Sequence, residues 1–279
     1  WLSKPLRTAI THRHSISAAG GTEVFRYSLD LNAAFNPGVM KGSEQNNKSL
    51  NFSMTYRKEN VSVGASLNLS ETDGHNSPYG SFSEYTRVNP YYRPTNEYGE
   101  YLQQLDNHTG AGSVPIANPL YNANVGIKDL TSNTNITASL NLEYRLLKNL
   151  RLTENISYMR GMARTENFLP ATHTVFITEL DKTLRGSYTK NTGEMTSWSS
   201  NLGLNWNMAF KKHLLSVFGN WTLSEDRSNY VNLSAVGYPD SHMDDFIFGN
   251  KMRTHPSGSE SIARSMGLIT QLSYSYDNR

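Results

Sequence analysis

The chain has 279 residues, a net charge of +2 and no cysteine. These values exclude disulfides, thiolate metal sites and cysteine nucleophiles, and they give no electrostatic case for binding nucleic acid. Hydrophobic residues make up only 37% of the chain, aromatic residues make up 11%, and no segment approaches the roughly 18 apolar residues of a transmembrane helix.

Alternation of apolar and polar residues predicts about nine β-strands and no helix of convincing length. The clearest alternation is VFRYSLDLNAAF, residues 24–35, whose apolar side chains share one face of an extended strand. The predicted strands, most of them about 9 to 13 residues long, lie at 11–19, 24–35, 49–56, 61–70, 136–144, 150–158, 198–208, 215–223 and 266–276.

The connections between these strands alternate between short and long. Tight turns are predicted at 20–23, 57–60, 147–149 and 210–212, and long loops at 36–48, 72–134, 160–196 and 224–262. An up-and-down outer-membrane barrel has short periplasmic turns and long extracellular loops, whereas a soluble β-sandwich has no reason for this alternation. We therefore predict an all-β fold: the wall of an antiparallel up-and-down transmembrane β-barrel.

This architecture assigns an environment to each face of the strands. The apolar face meets lipid, and polar side chains such as Arg26, Asp30 and Asn32 line a wet interior. Aromatic side chains at the strand ends fit interfacial belts, although aromatic residues also favour strands in general. Those near the short turns are Phe25, Tyr27, Tyr56, Tyr144, Phe210, Tyr274 and Tyr276, and those at the opposite ends are Phe35, Tyr158, Trp198 and Trp221.

Several long stretches of the sequence resemble the SusC/RagA family of TonB-dependent outer-membrane transporters, in order along essentially the whole chain. They are WLSKPLRTAITHRHSISAAGGTEVFRYSLDL, GVMKGS, NSPYGSFSEYTRVNPYYRP, NPLYNA, FLPATHT, LRGSYTKNTGE, GYPDSHMDDFIFGN and PSGSESIARSMGL. The resemblance implies a 22-stranded barrel closed by an N-terminal plug, energised by TonB, paired with a SusD-like surface lipoprotein, and importing glycans or peptides in Bacteroidetes.

The resemblance also implies that residues 1–279 are one partial domain. The plug, the TonB box and the remaining strands of the family pattern are not recognisable, and about nine strands cannot close a barrel of that diameter. We expect the chain to be an early part of the barrel wall of an outer-membrane importer of oligosaccharides or peptides. The alternative is a secreted or surface-attached β-rich glycan-binding protein with stacked sheets.

The segment 77–94 is the predicted ligand-contact region, because it combines aromatic rings with polar groups in a long loop. Its candidate residues are Tyr79, Phe82, Tyr85, Arg87, Asn89, Tyr91, Tyr92 and Arg93. Rings could stack on sugars while Arg and Asn bind hydroxyls, but the same rings could anchor the loop or meet a lipoprotein lid. Both interpretations stay open.

Two other clusters give weaker signals. His12 and His14 point the same way on a strand, but no third metal ligand is identifiable, so contact with the lumen or plug is favoured. Asp240, Asp244 and Asp245 could attract calcium, although their spacing is not that of an EF-hand; solvated acids, or pairs with Lys251 and Arg253, are the default. No catalytic fingerprint occurs, so we expect neither an enzyme nor a cofactor.

Overall fold

Nine long strands form one antiparallel, up-and-down sheet in the computed structural model, which describes residues 1–107 and 115–277. The strands of the described residues are β1 (His12–Gly21), β2 (Phe25–Pro37), β3 (Glu44–Lys58), β4 (Val61–His75), β5 (Gln104–Asn107), β6 (Pro115–Ala117), β7 (Lys128–Leu147), β8 (Leu150–Leu169), β9 (Ser187–Phe210), β10 (His213–Val236), β11 (Lys251–Met252) and β12 (Ser257–Tyr276). The sheet order is β1-β2-β3-β4-β7-β8-β9-β10, with β11 and β12 both paired to β10. The short strands β5 and β6 pair with each other outside this sheet.

Helical structure is confined to the long loops. The helices are α1 (Phe82–Arg87) and α2 (Pro119–Asn122), with single 3₁₀ turns at Thr174–Phe176, Lys182–Leu184 and Phe246–Phe248. Among the described residues, none of the helices has the length and apolar character needed to cross a membrane.

All nine predicted strands are confirmed, and so is the alternation of short and long connections. The hairpins β3–β4 and β9–β10 turn through two residues each, and Glu59 and Lys211 take left-handed φ values of 49° and 54° to do so. The nine long strands of the described part of the chain form one continuous sheet rather than two stacked sheets. This topology contradicts the sandwich architecture of the alternative prediction.

The strands are longer than predicted, because they continue into segments assigned to loops. β9 and β10 each have 24 residues, and β9 begins at Ser187, within the predicted loop 160–196. In these extensions neither face is continuously apolar: the outer half of β10, for example, reads SEDRSNY after Leu223. A strand that is polar on both faces has no alternation of hydropathy, so the sequence analysis could not detect it.

The strand register places the apolar side chains in rows that cross the whole sheet. Phe25 of β2 heads one such row on the face that we call the apolar face. From strand to strand, the row continues through Tyr56, Val63, Leu142, Glu154, Leu202, Trp221 and Leu268. The carboxylate of Glu154, which accepts a 2.6 Å hydrogen bond from the Ser200 hydroxyl, is the exception in this row.

Further toward the loops than Glu154, charged side chains occur on the apolar face at the same distance from the short turns on several strands. Lys48, Glu71 and Arg160 each lie about ten positions from the short-turn end of β3, β4 and β8, respectively. At about 3.3 Å per residue and a tilt of about 45°, ten residues rise about 23 Å, close to the height of about 25 Å of the apolar band on a transmembrane barrel. The apolar face therefore has the dimension of a hydrocarbon layer.

Candidate ligand-binding cleft

Helix α1 forms the middle of the predicted contact segment 77–94. Ser81 caps this helix by accepting a 3.3 Å hydrogen bond from the backbone N–H of Ser83. Glu84 lies in the first turn and Arg87 in the last, the positions where the helix dipole favours an acid and a base, respectively. Both side chains reach the cavities described below.

Tyr85 anchors this segment and is not open to a ligand. Its side chain is 1% exposed, and its hydroxyl lies 2.8 Å from the carbonyl oxygen of Tyr79 and 3.2 Å from that of Pro119. Burial, with a smaller contribution from the Glu84 carboxylate, raises the pKa of Tyr85 far above its usual value. Of the two interpretations of the aromatic rings in this segment, Tyr85 fits the one in which the ring anchors the loop.

The other predicted contact residues divide into three groups. Arg87, Asn89 and Tyr92 line a cavity. Tyr79 lies beneath the ammonium group of Lys41, 5.9 Å from the ring centre, where it helps to hold the loop to its neighbour. The three remaining side chains are exposed and line none of the cavities described below: Phe82, Tyr91 and Arg93.

Two adjoining cavities of about 590 and 610 Å³ form a cleft between the loops. Glu84, Asn122 and His173 line both cavities, and Arg87 and Tyr92 line the second one. Each cavity has the volume of a small-molecule or short-peptide site. The combination of a carboxylate, a guanidinium, an imidazole and the aromatic ring of Tyr92 suits a ligand that carries hydrogen-bonding groups on an extended backbone or ring.

The back wall of the cleft is fixed by a buried hydrogen-bonded pair that the sequence analysis did not identify. The amide of Asn122 donates to the Thr174 hydroxyl at 2.7 Å, and its oxygen accepts from the Thr174 backbone N–H at 3.1 Å. This pair joins α2 to the 3₁₀ turn across 52 positions of sequence, so only the fold reveals it.

His173, beside this pair, presents a neutral imidazole to the cleft. Its Nδ1 accepts a hydrogen bond from the backbone N–H of Val175 at 3.1 Å, which leaves the proton on Nε2. Burial lowers the pKa of His173 to about 4. The imidazole is therefore available for uncharged hydrogen bonding at neutral pH.

In the acidic loop between β10 and β11, residues 237–250, each of the three predicted carboxylates binds a different partner. Asp240 binds the backbone N–H and the ring of His242, Asp245 caps the turn at Ile247, and Asp244 forms an ion pair with Lys128 at 3.2 Å. The predicted pairing of these acids with Lys251 and Arg253 is wrong for Asp244, whose partner lies on β7. No group of three or more potential metal ligands occurs within residues 1–107 and 115–277.

A buried carboxylate gathers three cations at the loop end of the sheet, and one of them, Lys128, also binds Asp244 of the β10–β11 loop. Glu166, at the loop end of β8, is 2% exposed and lies 3.2 Å from the Lys128 ammonium and 3.3 Å from that of Lys190, and it also pairs with Arg164. Burial alone would raise the pKa of Glu166, but the hydrogen bonds from the three cations lower it to about 2.

An aromatic cluster beside Glu166 completes the attachment of this loop. The ring of Tyr238, from the loop, packs edge-on against Phe168 with centroids 5.1 Å apart, and lies 6.3 Å from the ring of Tyr188. All three rings are almost fully buried. The backbone at Gly186 approaches Tyr238 so closely, with φ +83°, that a side chain there would collide.

The polar face of the sheet carries a row of serines that only the register reveals. The row crosses eight neighbouring strands at one level, and four pairs of its hydroxyls lie 2.7 to 2.8 Å apart. Its members are Ser28, Ser53, Ser66, Ser139, Ser157, Ser199, Ser224 and Ser265. The polar face is thus lined at this level by small, uncharged hydroxyl groups, as a water-filled or plugged interior requires.

Comparisons with known proteins identify the fold. No family model matches the sequence, and no curated protein matches it. The structure of the RagAB peptide transporter matches with a TM-score of 0.72 at 17% identity, over 99% of this chain and 31% of that chain. This chain has the fold of part of a TonB-dependent transporter barrel.

Two further structures support this assignment. The RagAB peptide importer in its open-open state gives a TM-score of 0.71 at 16% identity, over 99% of this chain and 31% of that one. The closed form of the ferric-catecholate import receptor Fiu from K12 E. coli gives 0.54 at 9% identity, over 96% of this chain and 37% of that one. The chain thus spans about a third of the length of these transporters, and it shares their fold at low sequence identity.

Proposed function

We propose that this chain is part of the barrel wall of a TonB-dependent outer-membrane importer of oligosaccharides or peptides. The observation that carries the proposal is the match to the RagAB peptide transporter over 99% of the chain. The first charged row of the apolar face lies about ten positions from the short turns, and this height supports a location of the strands in a membrane. In this role the strands are a passive wall, and force from TonB acts on a plug elsewhere in the transporter.

The cleft between the loops is the proposed point of contact with the transported ligand. Arg87 and Tyr92 supply a charge and a ring, and Glu84 and His173 supply an acceptor and a neutral donor. A peptide offers carboxylate and amide partners to these groups, and an oligosaccharide offers hydroxyls and a ring face. The two RagAB structures, which are described as peptide transporters, make peptides the first ligands to test.

A surface lipoprotein is the proposed partner on the loop side. The match to RagAB, together with the resemblance of the sequence to the SusC/RagA family, supports a lipoprotein of the SusD type as the lid. Exposed apolar side chains at the loop tips, including Leu180 at 93% and Ile247 at 77%, offer contact area for such a lid.

The test measures location and uptake in cells that make the full-length transporter. The protein is expected to fractionate with the outer membrane and to support uptake of labelled oligopeptides or oligosaccharides that is lost when TonB is deleted. Arg87→Ala is expected to weaken uptake several-fold, whereas Arg93→Ala, an exposed arginine outside the cleft, is the matched control. Recovery of the protein in the soluble fraction, or uptake that does not depend on it, would refute the proposal.

A further inference from the structure

An amphipathic groove of about 620 Å³ crosses the apolar face of β1, β2, β3, β4 and β7 near the top of the apolar band. Its floor is one register row of aliphatic side chains: Ile16, Leu31, Leu50, Leu69 and Ile136. The next row toward the loops has the same orientation and is polar on four of the five strands, with His14, Lys48, Glu71 and Thr134. The expected contact of His14 with the lumen is thus wrong, because the register places His14 on the apolar face. The groove therefore passes from purely apolar to charged within a single step along the strands.

The polar edge of the groove has a gap between two nitrogen donors. Ala33 lies between His14 on β1 and Lys48 on β3, so the two donors stand two strand spacings, about 10 Å, apart over a small side chain. Lys48 pairs at 3.1 Å with Glu71 on its far side, and its side chain is 54% exposed, so further ammonium donors are open toward Ala33. A phosphate group placed over Ala33 reaches both donors.

The height of this edge determines which ligand can carry that phosphate. Lys48 lies about ten positions above the short turn, where the hydrocarbon layer ends and lipid headgroups begin. An acyl chain lying on Leu31, Leu50 and Leu69 therefore places its headgroup at Lys48 and His14. A soluble phosphate would gain nothing from the apolar floor, which makes up most of the groove.

We propose that this groove is a binding site for a phosphorylated, acylated lipid of the leaflet on the loop side. Its acyl chains pack on the aliphatic row, and its phosphate is held by Lys48 and His14 over Ala33. The inference rests on the proposed function, since it requires the apolar face to lie in a membrane.

The test is native mass spectrometry of the full-length transporter in detergent with diphosphoryl lipid A, and with the same lipid after removal of its phosphates. Lys48→Gln is expected to weaken binding of the diphosphoryl form about fivefold, the effect of one basic residue at a charged membrane surface. Ala33→Leu fills the gap without changing any charge and is expected to weaken binding similarly. Lys58→Gln, a lysine of the same strand and face at the opposite end, is the matched control and should have no effect.

The possible outcomes separate this inference from the proposed function. Selective binding of the diphosphoryl form that Lys48→Gln and Ala33→Leu weaken, and Lys58→Gln does not, supports the site. Equal binding of both forms, no binding, or binding unaffected by the two groove variants overturns it. In those cases the proposed function stands if the transporter still floats with lipid vesicles; a protein that does not float refutes both.

Discussion

The short-turn half and the loop half of the same strands are built for different surroundings. In the short-turn half, one face is aliphatic and aromatic across the sheet, with Glu154 as a charged exception within the band and Lys58 at its short-turn edge. In the loop half, that same face carries ion pairs such as Arg160 with Glu194, and a loop covers part of it at Glu166. The environment therefore changes along each strand rather than between strands, as it does for a barrel that rises out of a membrane.

The largest expected effect comes from placing a charge in the short-turn half. Leu67→Lys puts an ammonium group in the middle of the apolar face of β4, and we expect it to destabilise the membrane-inserted barrel by about 3 kcal/mol. The measurement is urea unfolding of the full-length transporter in lipid vesicles. Asn68→Lys, one position along and on the polar face, is the control and should cost less than about 1 kcal/mol; equal losses would mean that both faces are wet.

In the loop half, the largest effect is expected at Glu166. Glu166→Gln removes the charge that holds Arg164, Lys190 and Lys128 together, and Lys128 is the residue that binds Asp244 of the β10–β11 loop. We therefore expect a loss of about 2 kcal/mol in the attachment of that loop. The measurement is the rate of proteolysis within residues 237–250. Glu194→Gln is the control, since its pair with Arg160 is exposed and contributes about 0–1 kcal/mol.

The same cluster predicts a dependence on pH. The pKa of Glu166 is lowered from 4.5 to about 2 in the folded protein, so its contribution is complete above pH 4.5 and is lost as the pH falls toward 2. Cleavage of the loop by pepsin should increase over that interval in the unmodified protein and change less in the Glu166→Gln variant. A transition near neutral pH, or none in the unmodified protein, would contradict the assignment.

A smaller effect is expected at Tyr85. Tyr85→Phe keeps the buried ring but removes the hydroxyl that reaches the Tyr79 carbonyl, and we expect a loss of about 1 kcal/mol in the local stability of segment 77–94. Hydrogen exchange of that segment is the readout. Tyr91→Phe, at a ring that is 91% exposed, should leave exchange unchanged; equal effects of the two variants would show that Tyr85 does not anchor the loop.

The fold could be predicted from the sequence wherever a strand has an apolar environment on one face and a polar environment on the other. Alternation such as that in residues 24–35 located every long strand, because one face is apolar and the other polar. It failed in the outer parts of β9 and β10, where neither face is continuously apolar. The serine row could not be foreseen either, because it depends on how eight strands align and not on any one of them.

The candidate site was only partly predictable, for a related reason. The segment 77–94 was identified from its rings and arginines, and Arg87, Asn89 and Tyr92 line the cleft. His173 and Asn122 come from other loops and meet this segment only after folding. The burial of Tyr85 depends on its contact with Pro119, which lies 34 positions away and leaves no local signal.

The most direct test of the account is the accessibility of alternate positions along one strand. The chain has no cysteine, so single cysteines on β4 at Ser66, Leu67, Asn68 and Leu69 can each carry a spin label in the full-length transporter in lipid vesicles. The account predicts that labels at Leu67 and Leu69 collide with oxygen in the bilayer, and that labels at Ser66 and Asn68 collide with a water-soluble nickel chelate. The reverse pattern, or four labels that are equally accessible to the chelate, would contradict it.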